Sequence, residues 1–88
     1  MHKYRVVDPQ AVYEPVEVEV PFEIAPTKQP QWTVLANYAT VKAIAIEQMY
    51  GCPISDVDSQ HVRDMFESVV VEGLNTTTGC GWVRLDRL

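Results

Sequence analysis

Four side chains in this sequence have the chemistry of a nucleophile or a soft metal ligand: Cys52, Cys80, His61 and His2. Structural zinc sites usually draw ligands in pairs about two to four residues apart, and no such pair occurs. A thiol nucleophile needs a base in hydrogen-bond reach, and His61 is the side chain that would serve either cysteine. Without motif spacing, each cysteine reads as a small buried hydrophobe and His61 as a solvated helix flank. Thr76-Thr77-Thr78-Gly79-Cys80-Gly81 has the glycines of a phosphate loop but neither its lysine nor its spacing. It reads as a hairpin turn. Asp56 and Asp58 stand where a helix begins and read as capping groups, because a calcium loop needs further oxygen ligands at fixed positions. No catalytic residue, metal ligand or cofactor is assigned, and the chain is expected not to be an enzyme. A small Cys-dependent or metal-binding enzyme is the least favoured alternative.

The carboxylates are more informative. Between Val6 and Thr27 the chain has five acids (Asp8, Glu14, Glu17, Glu19, Glu23) and no base. From Ala43 to Glu72 it has six acids against one base, Arg63. Glu17 and Glu19 fall on one side of a period-two pattern, so they stand side by side about 6.8 Å apart, with Glu23 further along. Such neighbours repel, and an interspersed lysine would have relieved them. None is present. One reading is a solvated face that maintains solubility and discourages edge-to-edge pairing. The functional reading is an electronegative surface that docks on a basic groove of another protein, its carboxylates standing in for nucleic-acid phosphates. That reading assigns partner binding to Glu14, Glu17, Glu19 and Glu23. It adds Trp32, which sits among connector prolines, and Ile44, an apolar residue on the polar arc of a helix. Trp82 is expected in the core.

The elements that must position these residues follow from periodicity. Lys3 to Val7 reads as a first strand, and Asp8-Pro9-Gln10 as the turn after it. From Pro15 to Ile24, Val16, Val18, Val20, Phe22 and Ile24 alternate with Glu17, Glu19, Pro21 and Glu23, predicting a strand with one buried and one wet face. Pro21 lacks an N–H, which places the strand at a sheet edge or bends it there. Residues 25–30 form a connector. Thr33 to Tyr50 then reads as a helix. Its stripe is Val34, Tyr38, Val41, Ala45 and Met49, widened by Leu35, Ala39 and Ile46. Lys42 interrupts the apolar arc and is expected to bury its stem and extend its ammonium outward. Gly51 and Pro53 supply the stop. A short helix from Ser59 to Phe66, capped by Asp58, leads into a strand from Glu67 to Leu74, although one long second helix is the alternative. Residues 75–79 read as a hairpin loop, and 82–87 alternate as a final strand. The expected fold is one α+β domain over residues 1–88, ββα(α)ββ, an antiparallel sheet with its main helix on one face.

Eighty-eight residues and a formal charge of −5 set the outer limits. An acidic balance weighs against direct nucleic-acid binding, which calls for a basic stripe. The longest apolar run, Ala43 to Ile46, has four residues and cannot cross a bilayer. Met1 to Val6 has basic residues but no apolar stretch behind them, so no secretory signal is read and a cytoplasmic location with reduced thiols is expected. In size, charge and element order the whole chain is similar to small acidic proteins of phages and mobile elements, the anti-CRISPR proteins among them. No motif carries this resemblance, and no residue role transfers with it. It implies an inhibitor that binds a CRISPR effector complex and blocks a nucleic-acid channel or a subunit contact. The expected function is thus a non-enzymatic protein-binding module. The alternative is a self-associating accessory protein, a homodimer joined through its edge strand or Ile44.

Overall fold

Alternating valines and charged residues leave the first two strands little choice of face, and the computed structural model follows them. It describes residues 1–74 and 81–85. The elements are β1 (His2–Val7), β2 (Val16–Val20), α1 (Gln31–Tyr50), a 3₁₀ turn (Ile54–Asp56), α2 (Ser59–Ser68), β3 (Val70–Leu74) and β4 (Trp82–Arg84). The strands form one antiparallel sheet in the order β2-β1-β3-β4. This is the expected α+β fold. The hairpin loop read over residues 75–79 lies outside the described residues.

Tyr4, Val6, Val18, Val20 and Val71 point to one side of the sheet, where α1 covers them with Val34, Val41 and Ala45. Val6, Val41 and Ile46 are fully buried. Trimming Ile46 to alanine would cost about 2–5 kcal/mol, the usual range for emptying a core site of that size. Helix α1 starts two residues earlier than its periodicity suggests, with Pro30 in the N-cap position at φ −58°. Its stop is the expected one: Gly51 takes a left-handed φ of 73° and its N–H donates to the Glu47 carbonyl. Asp58 caps α2 as read, its side chain accepting from the Gln60 and His61 amides.

The predicted strand over Pro15–Ile24 is shorter in the structure. Pro21 offers no ladder donor, and β2 ends at Val20. The inward pattern nevertheless continues, because the Ile24 N–H donates to the Tyr4 hydroxyl at 2.6 Å and draws Ile24 into the core. The turn after β1 is held by a buried carboxylate. Asp8 accepts from the amides of Gln10 (3.0 Å), Val12 (3.1 Å) and Tyr13 (3.4 Å). Within that loop Ala11 sits at φ 57°, a conformation that favours glycine. Tyr13 then meets Tyr50 edge-on, ring centres 5.3 Å apart, tying the loop to the end of α1.

Helix α1 differs from its sequence reading in which flank is covered. Leu35 and Ala39 were expected to widen the buried stripe, yet both are exposed, while Ile44 packs half-buried against the core. Lys42 also departs from expectation: its ammonium donates to the Phe66 carbonyl at 3.0 Å. That caps the last turn of α2, where the helix dipole favours a cation. The strand expected from Glu67 begins at Val70, because α2 runs on to Ser68.

Tyr4 gives a direct test of this packing. Its phenol is pushed above the ordinary 10.0 by burial first, offset by the Ile24 hydrogen bond and reinforced by Glu23. A raised folded pKa means the native state holds its proton longer than the unfolded chain. The associated stability is whole below about pH 10 and is lost as pH climbs through the folded value. Tyr4→Phe should lower stability at pH 7 by about 1–2 kcal/mol, the cost of leaving the Ile24 N–H unsatisfied. It should also flatten the loss of stability above pH 10 in urea titrations. Tyr50, raised mainly by burial, should supply the remaining slope.

Candidate functional site: the open sheet face and the edge of strand β2

The face of the sheet turned away from α1 carries the charges. On β1 these are Lys3 and Arg5, on β2 Glu17 and Glu19, on β3 Glu72, on β4 Arg84. The pairing sets Arg5 opposite both Glu17 and Glu72, and Glu72 opposite Arg84. One cross-strand row therefore reads Glu17, Arg5, Glu72, Arg84, alternating in sign over all four strands. Opposite charges placed so stabilise a sheet by roughly 0.2–1 kcal/mol per pair.

The middle of that row is the tightest contact. Arg5 Nε donates to Glu72 Oε1 at 2.8 Å and Arg5 Nη2 lies 2.7 Å from the same oxygen. The two side chains keep 32% and 17% of their exposure, so the pair is partly shielded from solvent. The guanidinium also lies 5.1 Å from the centre of the Trp82 ring, a cation–π contact. Trp82 was expected in the core. It stands half-buried on the opposite face, because its partner across the ladder is Leu74 and its neighbour Val83 pairs with the core-facing Gly73.

The acids read as partner-binding residues gather around one edge. Glu14, Glu17, Glu19 and Glu23 are all exposed, on β2 or just beyond its two ends. The relief that local sequence lacks comes across the ladder: Lys3 stands opposite Glu19, with Nζ 3.8 Å from Oε1. Arg5 stands opposite Glu17 but spends its hydrogen bond on Glu72. Among the described residues no ion pair engages Glu14, Glu17 or Glu23. Among the described residues the carboxylates without an ion pair on this side of the sheet thus lie on β2 and beyond its two ends. Trp32 is 74% exposed at the start of α1 and Leu35, one turn on, is 57% exposed. Ile44 does not join them; it is half-buried on another side of the helix.

Among the described residues the soft ligands do not converge. Cys52 is a half-buried free thiol just after α1, His61 is exposed on α2, and His2 is exposed on β1. Cys80 lies outside the described residues. Among those described, no three His, Cys, Asp or Glu side chains are placed to share a metal ion. A half-open groove of about 190 Å³ runs between α1 and the start of β3, with Tyr38, Lys42, Glu67 and Arg84 on its walls. It contains no thiol or imidazole and is smaller than the ~300 Å³ of ordinary ligand pockets. No helix among the described residues is long and apolar enough to cross a membrane. No protein-family model, curated protein or solved structure matches the chain.

Sequence reasoning singled out the four glutamates and Trp32, which the structure leaves exposed, but did not read Arg5, Glu72 and Trp82 as a unit. The signal was the odd-numbered charge in β1: Lys3 and Arg5 alternate with Tyr4 and Val6, marking a wet face that must meet that of β2. The two ion pairs should behave differently on removal. Arg5→Leu is expected to cost about 1–3 kcal/mol, since it strands the shielded Glu72 carboxylate. Lys3→Leu should change stability by no more than about 0.5 kcal/mol, because its pair is solvent-exposed. Chemical denaturation of the two variants side by side checks this, and equal losses would mean the Arg5 row has no special weight.

Proposed function

We propose that the protein is a non-enzymatic binding module whose acidic β2 rim docks on a basic surface of another protein. The observation that supports it most is the placement of Glu14, Glu17, Glu19 and Glu23 along one exposed edge with a single ammonium, Lys3, paired to them among the described residues. Carboxylates spaced along an edge create a potential that steers a basic partner and fixes its orientation. A nucleic-acid-binding groove is such a partner, and blocking it is the inhibitory role that resemblance to small phage proteins of the anti-CRISPR type implies. The fold is suited to presenting the rim: α1 and the valine rows pack against β2 from one side, and the four glutamates are exposed.

The test separates charge from fold. A variant with Glu14, Glu17, Glu19 and Glu23 all changed to glutamine should melt close to the parent, because each change is at the surface. Parent and variant are immobilised and exposed to cell extract at about 50 and 300 mM salt, where Debye screening differs more than twofold. Species held by the parent at low salt, released at high salt and ignored by the variant support the reading. Identical retention by both proteins at both salts removes it.

A second reading, self-association, is favoured by a different observation. Trp32 and Leu35 are the most exposed large apolar side chains of α1 and lie one turn apart, with Ala36 and Ala39 beside them. Exposed patches of this kind mark association surfaces. Sedimentation velocity from about 10 μM to 1 mM should then show a concentration-dependent dimer that Trp32→Ala abolishes. A monomer across that range leaves the patch without this role.

A further inference from the structure

We infer that the outer edge of β2 receives an extended segment of the partner by strand addition, and that this segment alternates basic with apolar residues. The inference rests on the reading of the β2 carboxylates as a docking rim and supplies the form of partner they accept. Three separate features lead to it.

The first is backbone. β2 pairs with β1 alone, and no described residue forms a backbone hydrogen bond across its other edge. Alternate N–H and C=O groups of Val16–Val20 therefore point outward, ready to pair with a further strand. The second is charge. On the open face the side chains bordering that edge are Glu17 and Glu19, with Glu14 and Glu23 just beyond the strand ends. A strand laid alongside would place alternate side chains next to them, and basic groups there find opposite charge across the new ladder.

The third lies on the helix side. α1 rests more extensively on β2 than on any other strand. Ile44 is two residues, about 200° of helix rotation, from both Lys42, which reaches α2, and the buried Ile46. It therefore occupies the flank turned away from α2. Val16, Phe22 and Ile44 are each packed against the core and left only partly covered. The intervening residues of an added strand would continue the row of Val16, Val18 and Val20, covering apolar surface that the fold leaves half open. Its pattern is thus the complement of the β2 pattern: basic where β2 has glutamate, apolar where β2 has valine.

The same geometry rejects a second copy. Two β2 edges in antiparallel contact about Val18 would set glutamate opposite glutamate, and like charges across a ladder destabilise it. The occupant is a basic strand of another protein.

The probe is the synthetic peptide acetyl-Thr-Lys-Val-Lys-Val-Lys-Thr-amide, titrated into the intact protein at about 50 mM salt. It is compared with a scrambled peptide whose three lysines are contiguous, and with two versions N-methylated on alternate amides in opposite phase. One N-methylated phase removes the donors that would face β2. It should bind about tenfold or more weakly than the parent peptide, whereas the other phase binds comparably. Amide exchange should slow within Val16–Val20 when the parent peptide is bound. Changing Glu17 and Glu19 to glutamine should weaken it by a similar factor. If both N-methylated peptides and the scramble bind like the parent, with exchange in β2 unchanged, strand addition is wrong and docking by charge alone survives. If no peptide binds at millimolar concentration, strand addition is also wrong, and the glutamine variant in cell extract decides the docking reading on its own. If binding persists undiminished in the Glu17 and Glu19 variant, both fall.

Discussion

The pairing of β1 with β2 on one side and β3 on the other is the constraint on which both faces of this molecule depend. Its register sets Tyr4 between Val18 and Gly73, and Arg5 between Glu17 and Glu72. The first row is core and the second is charge. Because side chains alternate strictly, a slip of one residue in either pairing would send the valines to water and the charges under α1. Gly73 shows how closely the core row is fitted: a Cβ there would lie 3.0 Å from Leu85 Cδ2. The space over Gly73, next to Tyr4 in the register, is thus filled by the side chain of Leu85, just past the end of β4. Core packing and surface electrostatics are consequences of the same register.

Much of this was legible in the sequence because β1, β2 and α2 are amphipathic in ways with one solution. Val16 to Val20 can bury only one set of residues, and Asp58 can only cap. Helix α1 was different. Between Gln29 and Ile46 its sole charged residue is Lys42, so apolar residues surround the axis and periodicity does not say which flank is covered. Leu35 and Ala39 were consequently read as buried and Ile44 as exposed, the reverse of what the contacts with β2 and α2 impose. Trp82 was misplaced for a related reason. A large aromatic in a terminal strand suggests core by size, but parity overrules size once Val83 faces Gly73.

The electrostatic reading was limited by distance along the chain. Arg5 and Glu72 are 67 positions apart, and Lys3 and Glu19 are 16, so no local window could pair them. A region without bases in sequence acquires bases in space as soon as β1 folds beside it. What survives this correction is narrower and better placed. Among the described residues, the open-face register positions hold Lys3, Arg5 and Arg84 against Glu17, Glu19 and Glu72. The excess belongs to Glu14 and Glu23, beyond the two ends of β2. An acidic face has become an acidic edge.

That distinction changes what the acids can do. A charged sheet face meets a partner through side chains alone, over a surface that is already half satisfied by its own cations. An edge meets it through the backbone as well, and the backbone donors and acceptors there have no internal competitor among the described strands. Charged residues on an edge are commonly understood as protection against unwanted pairing, and here the short length of β2 and the prolines at positions 15 and 21 serve the same end. Protection and recognition are not opposed in this case. Glutamates that disfavour an identical edge by repulsion favour, by the same field, a strand of opposite charge, so on the proposed reading one set of side chains would serve both ends. Lysines would have blunted the edge equally well while favouring an acidic strand instead, which is why the proposed reading rests on the sign of the charge and not on its mere presence.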